Sequence, residues 1–281
     1  MNPHLQDAIC MRQIYCEGCE FPEWVIDHKL WNTHNFSDTL AFYHKEDNLE
    51  DVQRLALQRE PCNIGMRRLY DGDKLQTTFG WKHGAYGDKQ MPNFAVYCHA
   101  TVHTEEKGVF QAHVLNLIGC ALDSSRQPDV QSYPTKESVI EFYSRMWRLA
   151  LESIKHLKKT KFHIYNVGGG AFAGPYGRDF TKEIFMPAFL PLLPEFEEAG
   201  IQILGYDMQT NQFNGGFIPE YLNEPIQDLE NTVYVNAWDP WSLIGNGNEM
   251  DHSLDGAWGK STNMSVLGWL HTNPVMKFVG V

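Results

Sequence analysis

The sequence predicts an α/β fold in which a parallel or mixed sheet is covered by helices on both faces. From residue 94 onward, β-branched and aromatic runs alternate with helical stretches in the order strand, helix, strand, helix, strand, and this order is typical of such sheets. Two of the predicted strands also end in glycine-rich turns. Ligands of open α/β sheets bind beyond the carboxyl ends of the strands, so these turns are the first candidates for a functional site.

The first predicted elements are a pair of strands and a long helix. Phe94–Thr101 and Ala112–Gly119 are apolar, strand-like runs, and the polar turn Thr104–Gly108 joins them. After a polar, proline-bearing loop, Glu137–Lys158 carries apolar residues near helical spacing, which predicts a helix. Phe162–Val167 is then predicted to be the third strand.

The second half of the fold repeats this alternation less regularly. A helical region is predicted over Asp179–Ala199, where three prolines must break or kink it. Gly200 is placed to stop this region, and Ile201–Tyr206 is the fourth predicted strand. Val233–Val235 predicts a fifth, buried strand. Ala257–Leu270 predicts a last helix.

Residues 1–90 are mixed in character and are expected to form an N-terminal extension that packs on a core made by residues 91–281. Within this extension, Asp47–Gln58 is predicted to be a helix because of its apolar stripe. Four histidines of the extension could form a metal site, but they lack a tight spacing such as His-x-x-x-His. Ordinary surface or half-buried histidines are therefore the favoured interpretation of His28, His34, His44 and His83.

Composition and charge exclude several classes of function. The 281 residues are 43% hydrophobic, which is enough for a substantial core, but no run approaches the ~18 apolar residues of a membrane span. The net charge of -12 argues against non-specific binding to nucleic acid or to anionic membranes. The first ten residues lack the basic and apolar regions of a secretory signal, so a cytoplasmic protein is expected.

The six cysteines favour reduced thiols over a disulfide framework or a zinc site. Cys16 and Cys19 have the spacing of half a zinc site, but no second matching pair is present in the sequence. Cys98 and Cys120 lie in apolar runs, where a thiol behaves as a small hydrophobic group.

The glycine run Gly168–Pro175 is the first functional candidate. It follows a predicted strand and is similar to a loop that binds phosphate through successive backbone N–H groups. It matches neither the Walker pattern nor Gly-x-Gly-x-x-Gly, and a tight strand-to-helix turn explains it about equally well. Phe172 within the run is by default a core residue, although an aromatic ring at this place can stack on a sugar or a base.

The acidic turn within Thr232–Gly259 is the second candidate, and we place the active site there. It holds Asp239, Glu249, Asp251 and Asp255 among many small residues. Small residues let backbone amides approach a ligand, and four carboxylates in so short a span are costly unless something uses them. Helix capping by the first or last aspartate is an alternative. Calcium binding ranks lower, because the oxygen donors do not follow the EF-hand order.

Together these motifs resemble the ligand loops of macrodomains. Val235–Asp239, followed by Leu243–Asn248 and Asp255–Ala257, is similar to the first loop of that family, V-N-A-A-N, a glycine run and then V-D-G-A before a helix. Asn166–Pro175 is similar to the second loop, and Ala112–Leu122 to the V-I-H-x-V-G-P strand of the family.

The resemblance covers roughly residues 93–275, with Tyr143–Lys158 as the helix between these motifs. In most macrodomains the V-N-A-A-N loop comes first in the chain, whereas here it comes last. The resemblance therefore implies a three-layer α/β/α macrodomain-like fold with a circularly permuted strand order in residues 91–281, preceded by the N-terminal extension. Chain termini that lie close together make such a rearrangement physically tolerable.

The resemblance also implies a site for ADP-ribose that uses no cofactor and no metal. The glycine run would surround the diphosphate, with Phe172 beside the distal ribose, and Asn236 and the second glycine run would frame that ribose from the other side. The residues assigned to ADP-ribose binding are Asn236, Gly245, Asn246, Gly247, Asn248, Gly168, Gly169, Gly170, Ala171, Phe172 and Ala173.

Two departures from the family pattern suggest the reaction. Asp239 replaces the second Asn of the family, and the lengthened glycine run brings in Glu249 and Asp251. A more acidic site suits a cationic leaving group, and it is similar to the branch of macrodomains, related to bacterial effectors, that removes ADP-ribose from arginine side chains. The expected partners are ADP-ribose and an ADP-ribosylated protein.

The expected activity is hydrolysis of the N-glycosidic bond to the arginine side chain. Asp239 and Asp255 would flank the distal ribose, and either could orient the attacking water or protonate the departing guanidine. Glu249 and Asp251 would hold the substrate arginine by charge-assisted hydrogen bonds. Two alternatives remain, a module that binds ADP-ribose without turnover and a metal-dependent hydrolase that uses the same carboxylates.

Overall fold

The computed structural model describes residues 40–52, 70–71, 74–75, 93–104, 108–125, 127–210, 212–213, 228–238 and 277–281. The strands of this part are β1 (Leu40–Tyr43), β2 (Tyr70–Asp71), β3 (Lys74–Leu75), β4 (Phe94–Thr104), β5 (Gly108–Ile118), β6 (Lys161–His163), β7 (Gln202–Leu204), β8 (Tyr206–Asp207), β9 (Gln212–Phe213), β10 (Thr232–Trp238) and β11 (Lys277–Gly280). Its α-helices after residue 93 are α1 (Pro128–Ser132), α2 (Lys136–Leu157), α3 (Met186–Phe189) and α4 (Leu193–Glu198).

Seven of these strands form a central sheet in the order β11-β1-β4-β5-β10-β6-β7. The pairs β11–β1, β5–β10, β10–β6 and β6–β7 are parallel, whereas β1–β4 and β4–β5 are antiparallel. The described part of the chain is thus a mixed α/β structure with a mostly parallel sheet. The predicted fold class is confirmed at this level.

The helix α2 forms where the spacing of apolar residues predicts it. Thr135 and Ser138 make a reciprocal cap at its start, in which the Ser138 N–H and the Thr135 N–H each donate to the other side chain at 3.1 Å. Lys158 ends the helix in the left-handed conformation, with a φ of 55°. The buried face of α2 consists of Val139, Phe142, Tyr143, Met146, Trp147, Leu149, Ala150, Leu151, Ser153 and Ile154.

The predicted break in the second helical region is confirmed. Its segments are the 3₁₀ helix Ala171–Asp179, the π-helix Thr181–Phe185, α3, the 3₁₀ helix Leu190–Leu192 and α4. Proline has no N–H to donate, so each proline interrupts the α-helical ladder and the chain proceeds in short pieces. At the end, Gly200 adopts a φ of 70° and its N–H donates to the carbonyl oxygen of Glu197 at 2.9 Å.

The third and fourth predicted strands are shorter than expected. In the sheet, β6 ends at His163 and β7 at Leu204, and Gly205 with a φ of 82° separates β7 from β8. A Cβ at Gly205 would lie 2.5 Å from Cε1 of His163. The glycine therefore lets the chain bend against the histidine ring directly after β7.

An aromatic cluster joins α2 to the broken helical region. Trp147 of α2 is fully buried and packs edge-on against Phe185 and Phe189, with ring centroids 5.8 and 5.2 Å apart. Such pairs add about 0.5–1.5 kcal/mol each beyond the burial of area. Cys98 and Cys120 are buried free thiols, as their apolar surroundings in the sequence predict.

The N-terminal part of the described chain belongs to the sheet. Strand β1 lies between β11 and β4, and the residues that follow it contact α2. The Nε2 atom of His44 is 3.0 Å from the carbonyl oxygen of Arg145, and Arg145 donates to the Asp47 carboxylate at 3.0 and 3.2 Å. The predicted domain boundary at residue 90 stays a prediction. Strand β1 precedes this boundary in the chain and is part of the central sheet.

Several predictions fall partly or wholly outside the described residues. Of the predicted helix Asp47–Gln58, residues 49–52 are helical, residues 47–48 are described but not helical, and residues 53–58 lie outside the described part. The predicted helix Ala257–Leu270 lies wholly outside the described part. The residues Cys16, Cys19, His28, His34 and His83 also lie outside it.

Burial keeps two histidines of the sheet neutral. Desolvation lowers the pKa of His163 to about 4. Desolvation also lowers the pKa of His113 to about 4, and the ammonium of Lys159, whose Nζ is 2.9 Å from His113 Nε2, adds to this effect. Both pKa values lie below the ordinary value of 6.5, so the folded protein binds fewer protons than the unfolded chain between pH 6.5 and 4.

We therefore expect the free energy of unfolding to fall as the pH drops below about 6.5, by about 1.4 kcal/mol per pH unit for each histidine. Urea unfolding at pH 7 and pH 5 measures this loss. His163→Gln removes one titrating group, so this variant should lose less stability over the same interval than the wild type does. An equal loss in both proteins would contradict the assignment.

Candidate functional site

Three neighbouring parallel strands place their carboxyl ends at one edge of the sheet. Strand β10 pairs with β5 on one side and with β6 on the other. The register aligns Trp238 with Ile118 and Tyr234 with His163. The chain leaves this edge through residues 119–125 after β5, here called the post-β5 segment, and through residues 168–173 after β6, here called the glycine loop. The two segments can therefore form one site.

Three consecutive backbone N–H groups anchor the post-β5 segment to three different elements. The N–H of Cys120 donates to the hydroxyl of Tyr143 on α2 at 2.9 Å. The N–H of Ala121 donates to Oδ2 of the buried Asp129 on α1 at 2.7 Å. The N–H of Leu122 donates to the carbonyl oxygen of Phe172 in the glycine loop at 2.9 Å. The post-β5 segment and the glycine loop are thus directly bonded to each other.

The first two glycines of the glycine loop are required by close packing. Gly168 has a φ of 83°, and a Cβ there would lie 1.9 Å from the hydroxyl oxygen of Tyr143. A Cβ at Gly169 would lie 2.0 Å from Nδ2 of Asn166, whose side chain donates to Thr181 Oγ1 at 3.0 Å. A Cβ at Gly170 would meet no described atom within 4 Å. Only the outer part of the loop therefore faces open space among the described residues.

An open cavity of about 420 Å³ lies between the post-β5 segment and the outer part of the glycine loop. It is lined by Leu122, Asp123, Ser124, Ser125, Gly170, Ala171, Ala173, Gly174, Pro175 and Gly177. No lysine or arginine is among these lining residues. An anion in this cavity would therefore depend on backbone N–H groups and on the two serine hydroxyls.

The predicted ADP-ribose residues of the glycine loop fall into three groups. Gly170, Ala171 and Ala173 line the cavity. Gly168 and Gly169 instead lie against Tyr143 and Asn166, so their role in this arrangement is to let the loop pack closely. Phe172 is half-buried, and its carbonyl oxygen is the acceptor that joins the two walls.

Asn236, assigned in the sequence to the ribose, lies inside the sheet. Its side chain is fully buried in β10 and donates to Oδ1 of Asn116 on β5 at 2.9 Å. The Asn116 amide in turn donates to the carbonyl oxygen of Val96 on β4 at 2.8 Å. The two asparagines thus connect three adjacent strands beneath the edge at which the cavity lies.

The acidic half of the predicted site lies outside the described residues. This half comprises Asp239, Gly245, Asn246, Gly247, Asn248, Glu249, Asp251 and Asp255. The last described residue before it is Trp238, which is buried at the end of β10 and packs edge-on against Phe94 at 5.7 Å. The roles assigned to the four carboxylates stay predictions.

The structure adds residues that the sequence did not single out. Tyr143 and Asp129 hold the post-β5 segment, and residues 122–125 supply one wall of the cavity. In the sequence, Tyr143 is one apolar position of a helix and Asp129 one polar residue of a loop, so neither carries a local signal. The polar run Asp123–Ser125 a few residues after a predicted strand was a usable signal, since strand ends bind ligands.

The hydroxyl of Tyr143 and the thiol of Cys120, at the base of the walls, both stay protonated. Burial raises the pKa of Tyr143 well above its ordinary value, and burial also raises that of Cys120. Neither group therefore changes charge near neutral pH, and the contact between Tyr143 and the Cys120 N–H is a neutral hydrogen bond.

No family model matches the chain, and no curated protein shows significant sequence similarity to it. Within the described residues, none of the helices has the length and apolar character needed to cross a membrane. Also among these residues, no group of three or more His, Cys, Asp or Glu side chains is arranged to hold a metal ion.

Proposed function

We propose that this protein is a hydrolase that removes ADP-ribose from the arginine side chains of ADP-ribosylated proteins, on a three-layer, circularly permuted macrodomain fold. One observation carries the proposal. The three segments that resemble macrodomain motifs are distant in sequence, yet their strands β5, β10 and β6 are direct neighbours and run parallel. Their carboxyl ends therefore point the same way, as a shared ADP-ribose site requires.

The cavity between the two walls favours the proposal of a phosphate-bearing ligand. Its lining is small and polar, with Gly170, Ala171, Ser124 and Ser125 among the residues at its surface. Backbone N–H groups in a glycine loop can hold a diphosphate without a basic side chain, and the absence of a Cβ lets the phosphate oxygens come close. No lysine or arginine lines this cavity, so recognition of an anion there would depend on these neutral groups, beside the Asp123 carboxylate.

The proposed reaction is hydrolysis at the anomeric carbon of the distal ribose. A water oxygen attacks this carbon while the bond to the guanidine nitrogen breaks, and the guanidine leaves with a proton as the unmodified arginine side chain. The transition state resembles an oxocarbenium ion, so a nearby carboxylate stabilises its charge and a second one activates the water. Asp239 and Asp255 are proposed for these two roles, with Glu249 and Asp251 holding the guanidinium.

The wild-type protein provides the test. Calorimetry should detect binding of ADP-ribose, and incubation with arginine-linked ADP-ribosylated protein should release free ADP-ribose, with no release from serine- or aspartate-linked substrates. A chelator should leave the rate unchanged. Binding without any release would identify a binding module instead, and activity lost with chelator and restored by Mg²⁺ would identify a metal-dependent hydrolase. If the wild-type protein neither binds ADP-ribose nor releases it from the substrate, the proposal is refuted.

A further inference from the structure

We propose that Tyr143 is a positioning residue whose hydroxyl sets the distance between the two walls of the cavity, the post-β5 segment and the glycine loop. Contacts of Tyr143 with both walls carry this assignment. Its consequence for ligand affinity rests on the proposed function, because ADP-ribose is the ligand used to measure it.

The hydroxyl of Tyr143 lies between the two walls and touches both. It accepts the N–H of Cys120 at 2.9 Å. A Cβ at Gly119 would lie 2.6 Å from the same oxygen and 3.2 Å from the Cα atom of Gly168. A Cβ at Gly168 would lie only 1.9 Å from this oxygen. Each wall therefore contacts the hydroxyl through a glycine, which has no side chain. The two walls meet around this hydroxyl.

The aromatic ring that carries this hydroxyl cannot move aside easily. Tyr143 is 1% exposed, and its ring packs edge-on against Phe142 and Phe180, with centroids 5.4 and 5.3 Å apart. One neighbour comes from α2 itself and the other from the chain that follows the glycine loop. A ring held from both sides on a long helix places its hydroxyl at a fixed point.

The wall contacts nearer the cavity depend on this spacing. The hydrogen bond from Leu122 N–H to the carbonyl oxygen of Phe172 is 2.9 Å long, and a Cβ at Gly174 would lie 1.8 Å from the carbonyl oxygen of Leu122. Without the Tyr143 hydroxyl, the buried Cys120 N–H loses its acceptor and the space between the walls changes. Both walls are then released together, although neither Tyr143 nor Cys120 lines the cavity.

The test compares two tyrosine-to-phenylalanine variants. Tyr143→Phe removes the proposed spacer and keeps the ring. Tyr97→Phe is the matched control, because its hydroxyl is also buried and lies 2.8 Å from Nδ1 of His113, within the sheet. In the ligand-free protein, amide hydrogen exchange should accelerate about tenfold or more in residues 119–122 and 168–173 of Tyr143→Phe. Tyr97→Phe should leave both segments unchanged.

The affinity for ADP-ribose is the second readout. The Kd should rise about tenfold in Tyr143→Phe and stay within about twofold of wild type in Tyr97→Phe. Unchanged exchange in both segments would overturn the inference, and so would faster exchange in residues 119–122 alone, because the hydroxyl would then serve one wall. If the wild-type protein fails to bind ADP-ribose, the proposed function fails, and the exchange data still decide the role of Tyr143.

A third variant tests the same contact from the side of the post-β5 segment. Gly119→Ala places a methyl group 2.6 Å from the hydroxyl oxygen and should be strongly destabilised. If the hydroxyl is the spacer, combining Gly119→Ala with Tyr143→Phe should raise the midpoint of thermal unfolding above that of Gly119→Ala alone. A double variant that is less stable than both single variants would count against the spacer.

Discussion

Asp255→Asn is expected to slow the release of ADP-ribose from an arginine-linked substrate by about 10²–10⁴-fold, the usual effect of removing a general acid or base. The neutral amide can neither take a proton from water nor give one to the departing guanidine. ADP-ribose itself should still bind, because its diphosphate is assigned to the glycine loop. Asp239→Asn should behave in the same way. Single-turnover assays and calorimetry separate the two effects.

A matched control for this pair is Asp207→Asn. Asp207 lies on β8, and its Oδ1 accepts the N–H of Gln209 at 2.8 Å, a role that an asparagine oxygen can keep. Its turnover should equal that of wild type. Glu249→Gln and Asp251→Asn should raise the KM for the modified protein more than they lower kcat, since these residues are assigned to the substrate arginine. Turnover by Asp255→Asn at the wild-type rate would remove that residue from the mechanism.

Gly174→Ala is expected to lower the free energy of unfolding by about 3 kcal/mol or more. Gly174 has a φ of 57° and a ψ of -124°, a conformation that a residue with a Cβ rarely adopts. In addition, its Cβ would lie 1.8 Å from the carbonyl oxygen of Leu122. Backbone strain and a steric clash therefore act at one position. Urea unfolding monitored by circular dichroism measures the loss.

Gly177→Ala separates these two causes. Gly177 has nearly the same backbone, with a φ of 47° and a ψ of -123°, but a Cβ there would meet no described atom within 4 Å. This variant should show the strain alone, about 1–3 kcal/mol. The difference between the stability losses of the two variants then measures the contact between Gly174 and the carbonyl oxygen of Leu122. Equal losses would mean that Gly174 does not contact the post-β5 segment.

Local patterns in the sequence were sufficient for most of the described elements. The apolar spacing of α2 and the β-branched run of β10 depend on residues close in sequence, and both elements form where predicted. The fourth predicted strand was overestimated because it is interrupted at Gly205, which packs against the ring of His163, a residue distant in sequence. The place of β1 in the sheet depends on its pairing with β4 and β11, which no local pattern encodes.

The same distinction applies to the candidate site. The glycine loop was predictable because its composition alone suggests close approach of the backbone to a ligand. The burial of Asn236 was not, since its partner Asn116 lies on another strand and the pair is made by the register of β10 on β5. Tyr143 was hidden for a similar reason: an aromatic residue on the buried face of a helix has no local feature that reveals what its hydroxyl touches.

The pairing of β1 with β11 sets the order in which the sheet can be completed during translation. Leu40–Tyr43 leaves the ribosome long before Lys277–Gly280, yet the two strands pair residue by residue, and the N–H of Val281 donates to the carbonyl oxygen of Tyr43. Until then, one side of β1 presents unpaired backbone groups, which are a template for other chains. β11, the last strand of the sheet to be made, is therefore the one that covers this side of β1.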